Sequence, residues 1–294
     1  KSSKEIKNLK DASFAISKLI YGDIDKGIFP IFGDISPDIK INKLVNKLRN
    51  QELVNHRDSQ KNKVMINYKF IGNEFFKASN LNWTLFCHLP EKVIVDYPTH
   101  GHQDYGSIIL WRNNEEVILS PGRKSYADKD SIRQDRFNTI KLNSKSLYKS
   151  RLFEMGGYGF PKPRINIINQ KDNIMLEIFL HGYSNWPSFF KKSSYVSKRT
   201  IIIGNDYIDI EDKSLSKNIT NIESSFLLSK KVKIKNKHEP KIQSDFINMF
   251  VLSESFTNIS EESYFLDYQG CDNKANRTIL CNSGANLINK IRFT

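Results

Sequence analysis

From residue 64 onward the chain is a long succession of short β-branched and aromatic runs separated by Gly, Pro, Asn, Asp and Ser. That rhythm constrains the fold more than any other feature. Runs of this length bounded by turn residues read as strands. They fall at 64–70, 83–89, 107–111, 117–119, 139–142, 165–168, 174–180, 199–203, 207–210, 222–228, 231–234, 246–252, 264–267, 278–281 and 287–292. Few helical patterns lie between them, which excludes a series of βαβ units. The sequence therefore predicts a mainly β fold, a large antiparallel β-sandwich over residues 61–294.

The first 60 residues differ. Loosely helical apolar spacing from Lys1 to Ile20 gives way to a loop rich in Gly, Asp and Pro through Asp38. A second helix is expected from Ile39 to Asn55, with Ile41, Leu44, Val45 and Leu48 on one stripe. Residues 1–60 are thus a short α-helical N-terminal segment, followed by a polar linker that ends at Lys63. The sequence starts at Lys1 in this helical pattern without an initiator Met, as in a processed product or a piece of a longer chain.

Hydrophobic residues make up 39% of the 294, enough for a sizeable core. No apolar run is long enough for a membrane span, and the Lys-rich N-terminus has no apolar core of a signal peptide. Lys and Arg total 45 against 32 acidic residues, a net charge of +13. That excess suits a polyanionic partner, although abundant Lys, Asn and Ile also fit a biased base composition. Nucleic acid is disfavoured, because no helix-turn-helix, zinc-finger or RNP-like pattern accompanies the charge. Cys87, Cys271 and Cys281 are too few and scattered for a disulfide scaffold or a zinc ribbon.

The densest chemistry lies at His100-Gly101-His102-Gln103-Asp104-Tyr105-Gly106-Ser107, just before the apolar run Ile108 to Trp111. Two imidazoles and a carboxylate at alternate positions leave one face of an extended backbone. They suit a metal site that recruits further ligands, general acid/base work by an imidazole tuned by Asp104, or a buried hydrogen-bonded pair of His102 and Asp104. Arg112, Arg123, Lys124, Arg133 and Arg136 follow, interleaved with Trp111 and Tyr126, a composition suited to an anionic sugar as well as to a solvated face. The Gly156-Gly157-Tyr158-Gly159 run lacks the Lys-Ser/Thr of a phosphate loop and reads as a turn. His181 to Trp186 puts aromatics in a loop at a strand end, and His56 and His88 are lone histidines read as structural or surface groups.

These residues resemble the C-terminal part of the heparinase II/III-like polysaccharide lyases. That family shows a His-Gly-His-x-Asp segment, a strand and Gly turn, an Asp-Pro-Gly segment with a downstream Tyr, and a His-Asn-Thr segment opening another strand. The corresponding residues are His100 to Asp104, then Leu119-Ser120-Pro121-Gly122 with Tyr126, then Phe137-Asn138-Thr139. Lys198-Arg199-Thr200-Ile201, Tyr207 to Asp212 and Phe226-Leu227-Leu228 are similar to the family's later strands, and the Gly33-Asp34 loop to the end of its α/α-toroid.

The resemblance implies β-elimination on a uronate-containing, glycosaminoglycan- or alginate-like acidic polysaccharide, in the periplasm or cell envelope. It makes His100 the catalytic residue and places His102 and Asp104 in support. Tyr105, Arg123, Tyr126, Arg133 and Asn138 are then expected to line the cleft. Some members bind zinc through the second His, the Asp of Asp-Pro-Gly and the His of His-Asn-Thr, positions held here by His102, Ser120 and Phe137. A serine and a phenylalanine cannot complete such a site, so no zinc is expected in the family manner. The family's catalytic Asn and Tyr lie in an upstream toroid that residues 1–60 would only close, so this stretch alone is expected to be inactive. A non-catalytic carbohydrate-binding or glycan-assembly protein of the same fold is the alternative.

Overall fold

The structure, a computed structural model, describes residues 66–71, 75–89, 104, 106–122, 136–145, 147, 163–170, 172–181, 195–217, 219–236, 247–264, 273–283 and 287–294. The helical segment expected at 1–60, and with it the boundary near residue 60, lies outside them. Among the described residues no helix is long and apolar enough to cross a membrane.

The first sheet begins with a five-strand meander: β1 (Asn67–Ile71), β2 (Phe75–Ser79), β3 (Trp83–His88), β4 (Ile108–Arg112) and β5 (Glu115–Ile118). It continues through β11 (Ile222–Leu228) and β15 (Asn273–Asn282) to β14 (Phe256–Tyr264), and short β6 (Ile140–Leu142) also pairs with β11. The second sheet runs β12 (Val232–Asn236), β13 (Ile247–Val251), β16 (Ile288–Phe293), β10 (Ile208–Ser214), β9 (Tyr195–Ile203), β8 (Ile174–His181) and β7 (Arg164–Asn169).

Alternation explains how the sheets pack. In β8 the residues Ile174, Leu176, Ile178 and Leu180 are buried, while Met175, Glu177 and Phe179 point outward and are half-buried. β16 alternates in the same way. The inward residues of both sheets form one core, with Phe76, Leu85, Leu110, Phe226 and Leu280 meeting Leu176, Ile201, Ile210, Ile291 and Phe293. Each fully buried Leu, Ile or Phe is worth roughly 1.5–3 kcal/mol. Face-to-face packing through this core makes the two sheets a β-sandwich. At the tip of the β4–β5 hairpin, Asn113 and Asn114 adopt φ values of 49° and 67°, the left-handed pair that suits a two-residue turn to the strand twist.

Three features depart from the sequence reading. β2 is not expected from the sequence, because Lys77 interrupts its apolar run; in the fold Lys77 is buried and sits over the Phe86 ring at 5.3 Å. β14, over Phe256–Tyr264, is not expected from the sequence and is set by pairing with β15 rather than by its own composition, while residues 265–267 of the strand expected at 264–267 lie outside the described residues. The sandwich is also not wholly antiparallel, since β12 and β13 run parallel.

Candidate functional site

The described end of the His-Gly-His segment is fastened to the neighbouring strand β3. Gly106 N–H donates to the His88 carbonyl at 2.9 Å, His88 N–H donates to the Ser107 carbonyl at 3.0 Å, and Ser107 N–H donates to the Asp104 carbonyl at 2.8 Å. The side chains repeat the connection. Asp104 is 1% exposed, and its Oδ1 lies 2.9 Å from His88 Nδ1. Phe75 stacks on the His88 ring at 4.8 Å and holds its plane. A carboxylate this deeply buried needs a cationic or hydrogen-bonding neighbour, and the imidazole meets that need.

Gly106 has a second role. Its φ of +72° favours glycine, and a Cβ there would meet Leu180 Cδ2 at 3.0 Å, so the turn rests directly on the second sheet. Its carbonyl accepts from Arg199 Nη1 at 3.0 Å, and the same Nη1 donates to the Asn138 carbonyl at 2.6 Å. Arg199 is fully buried and pairs bidentately with Asp212, Nε to Oδ1 at 2.7 Å and Nη2 to Oδ2 at 2.8 Å, above the Phe226 ring at 5.5 Å. One inward side chain of the second sheet, held by the carboxylate of Asp212, thus reaches across the core to grip the backbone carbonyls of Gly106 and Asn138, just before β4 and β6 of the first. The guanidinium's rigid fork supplies all four bonds at once, which offsets the cost of burying the pair.

Asn138 is also fully buried. Its Nδ2 donates to the Ile108 and Leu119 carbonyls, each at 2.7 Å, and its Oδ1 accepts from Leu227 N–H at 2.7 Å. The amide thus stitches β4, the end of β5 and β11 together, and all of these bonds are internal to the fold. Electrostatics around the clamp disfavour a thiolate. Burial pushes the Cys87 thiol up to about 12, against the lowering field of Arg199 and with the raising field of Asp104. A buried thiol held protonated in this way is a poor nucleophile at neutral pH.

Of the residues that the sequence assigns to the site, the structure describes Asp104 and Asn138 and connects them through Gly106 and Arg199. His100, His102, Tyr105, Arg123, Tyr126 and Arg133 lie outside the described residues. Of the nearby cations, Arg136 is engaged by Glu262 at 2.8 Å and Arg112 lies over the Trp83 ring at 5.2 Å. The sequence reading does not single out His88, Arg199 or Asp212 for the site. The signal present is two opposite charges in phase with inward isoleucines, Arg199 with Ile201 and Ile203 and Asp212 with Ile208 and Ile210.

At the family's zinc positions, Phe137 is 2% exposed and offers no donor atom, and Ser120 offers a neutral hydroxyl. These residues do not fit a zinc ion. Among the described residues no group of three or more His, Cys, Asp or Glu is placed to hold a metal.

The family described as Heparinase II/III-like, C-terminal, matches residues 73–294. No curated protein matches the chain by sequence. Among solved structures, a heparinase III is similar with a TM-score of 0.54 and 10% identity, covering 80% of this chain and 37% of its own. Another heparinase III gene product gives 0.57 and 13%, covering 90% and 42%. A heparan sulfate lyase from Pedobacter heparinus gives 0.50 and 12%, covering 86% and 39%. The chain spans about two fifths of the length of these structures, and at such identities the likeness is one of fold.

Proposed function

Because the chain belongs to the heparinase II/III-like family through its C-terminal domain, we propose that it is the β-sandwich part of a polysaccharide lyase that cleaves uronate-containing acidic polysaccharide. In β-elimination a base removes the proton at C5 of the uronate, the C4–O4 bond breaks, a C4=C5 double bond forms, and the departing O4 takes up a proton. The uronate carboxylate must be neutralised for C5 to become acidic.

In this proposal His100 handles a proton or contacts the sugar at the scissile bond. His102 and Asp104 orient it, and Tyr105, Arg123, Tyr126 and Arg133 line the cleft. Asn138 supports that wall from behind, since its amide is committed to Ile108, Leu119 and Leu227. No zinc takes part through His102, Ser120 and Phe137. The catalytic Asn and Tyr of the family belong to its toroid, so the proposal includes such a domain upstream as a partner.

The observation that carries this reading is the family match over 73–294. The clamp on Asp104, Gly106 and Ser107 supports it, because a site set on strands held from both sheets keeps the precision that proton transfer requires. The test is an assay for unsaturated uronate product from acidic glycans. The chain alone is expected to give none, the chain joined to its toroid to give product, and His100→Ala to abolish it. Turnover unchanged by His100→Ala would overturn the assignment. The apolar Phe137 at a ligand position favours one other reading, a non-catalytic glycan-binding protein of the same fold, which predicts glycan affinity without any product.

A further inference from the structure

The outer face of the second sheet carries a feature that this chemistry does not use. Strand pairing aligns Arg164 of β7 with Phe179 of β8, Phe179 with Lys198 of β9, and Lys198 with Lys213 of β10. All four point away from the core, because their neighbours Ile165, Ile178, Arg199 and Asp212 point into it. Three cations and one ring therefore form a cross-strand row, with adjacent strands about 4.8 Å apart. Arg164 lies over the Phe179 ring at 5.5 Å and Lys198 at 5.9 Å, so the ring holds both cations from below.

Next along this face, the charges of β10 and β16 pair with each other. Arg292 is paired bidentately with Asp209 at 2.6 Å, and Lys290 lies 3.7 Å from Glu211. From the adjacent row, Glu177 meets Lys198 at 2.8 Å and also accepts from Asn166. Its carboxyl is held below the usual range by the Lys198 hydrogen bond first and least by the field of Arg164. Neither Arg164 nor Lys213 has a carboxylate within ion-pair distance among the described residues. Among the described residues of β7 to β10, the unneutralised positive charge of this face thus falls in the row that carries the Phe179 ring. The row lies directly behind the candidate site, since Leu180, next to Phe179, packs against Gly106.

We propose that this row is a second glycan-binding surface, an exosite that takes a stretch of acidic polysaccharide outside the reacting cleft, with Arg164, Lys198 and Lys213 contacting its carboxylate or sulfate groups. The choice of a glycan among polyanions rests on the lyase reading above; the cationic row does not. Binding here would keep a long polymer close to the site between cleavages by raising its effective concentration.

The test measures binding of heparin, as the acidic-glycan probe, to the full chain across a salt series. Arg164→Gln with Lys213→Gln is expected to weaken binding about tenfold and to flatten its salt dependence, the size that two part-exposed charge contacts allow. Phe179→Leu, which releases the cations, is expected to weaken it two- to threefold. Lys230→Gln with Lys231→Gln removes the same charge from the β11–β12 turn, where the lysines pair with Glu261 and Glu115 of the first sheet, and is expected to change affinity less than twofold. Equal losses from both double variants, loss from neither, or no salt-sensitive binding by the parent chain overturns the exosite. Duplex DNA of matched charge that binds as tightly, with the same loss in Arg164→Gln/Lys213→Gln, overturns the glycan assignment. The product assay and the heparin titrations are read separately, so failure of the product assay removes the lyase reading and leaves binding at the row to stand or fall by its own measurements.

Discussion

The clamp around Arg199 and the outer strand β14 are both polar, and they stand at opposite ends of mechanical importance. Arg199, Asp212 and Asn138 sit in the core with their polar atoms bonded to carboxylate, carbonyl or N–H groups. Among the described residues β14 pairs on one side only, with β15, and exposes Phe256 at 74% and Ile259 at 50%. The difference teaches that burial, more than polarity, gives a hydrogen bond its structural weight. In the core a lost partner leaves its mate with no water to turn to, whereas at the edge water replaces it.

The largest expected break is Asp212→Ala, which strands the buried guanidinium and should cost about 3–5 kcal/mol in urea unfolding. Replacing Arg199 and Asp212 together by leucine should recover much of that loss while freeing the Gly106 and Asn138 carbonyls; a double variant no more stable than the single one would contradict the role given to the stranded charge. Asn138→Leu comes next, leaving two carbonyls and one N–H unpaired, at about 2–4 kcal/mol in the same measurement. Gly106→Ala combines a left-handed φ with a 3.0 Å approach to Leu180; about 1–3 kcal/mol is expected, and hydrogen exchange of the Gly106 and Ser107 amides should rise selectively. Phe256→Thr on β14 should shift stability by no more than about 0.5 kcal/mol. A loss from Phe256→Thr as large as that from Asn138→Leu would erase the contrast between core and edge.

The same contrast accounts for what the sequence alone conveys. Strands such as β3, β8 and β11 are legible because their apolar residues are dense or alternate, and alternation is a local property. β2 is not, because a buried lysine reads as a solvent residue until Phe86 is brought beneath it. β14 is not, because Phe256–Tyr264 is polar along its length and becomes a strand only through β15. At the site, the His-Gly-His-x-Asp motif is visible as spacing, but the histidine that meets Asp104 comes from β3, sixteen positions earlier. Arg199 and Asp212 come from the other sheet. Residues that hold a motif in place from distant strands leave no spacing signature of their own.

The pairing of Ile118 with Leu228 closes the first sheet across 228 − 118 = 110 residues. During synthesis at roughly 5–20 residues per second, β5 would emerge some 5 to 20 seconds before the strand that covers it. For that interval the β1–β5 meander presents an open hydrogen-bonding edge, with Val117 and Ile118 still without their final neighbours, to any other nascent chain. Long-range closure of this kind makes β11 a late and slow step in folding. Production of the chain should therefore be limited by how well that waiting edge is shielded, and slower growth or chaperone supply should improve its soluble yield.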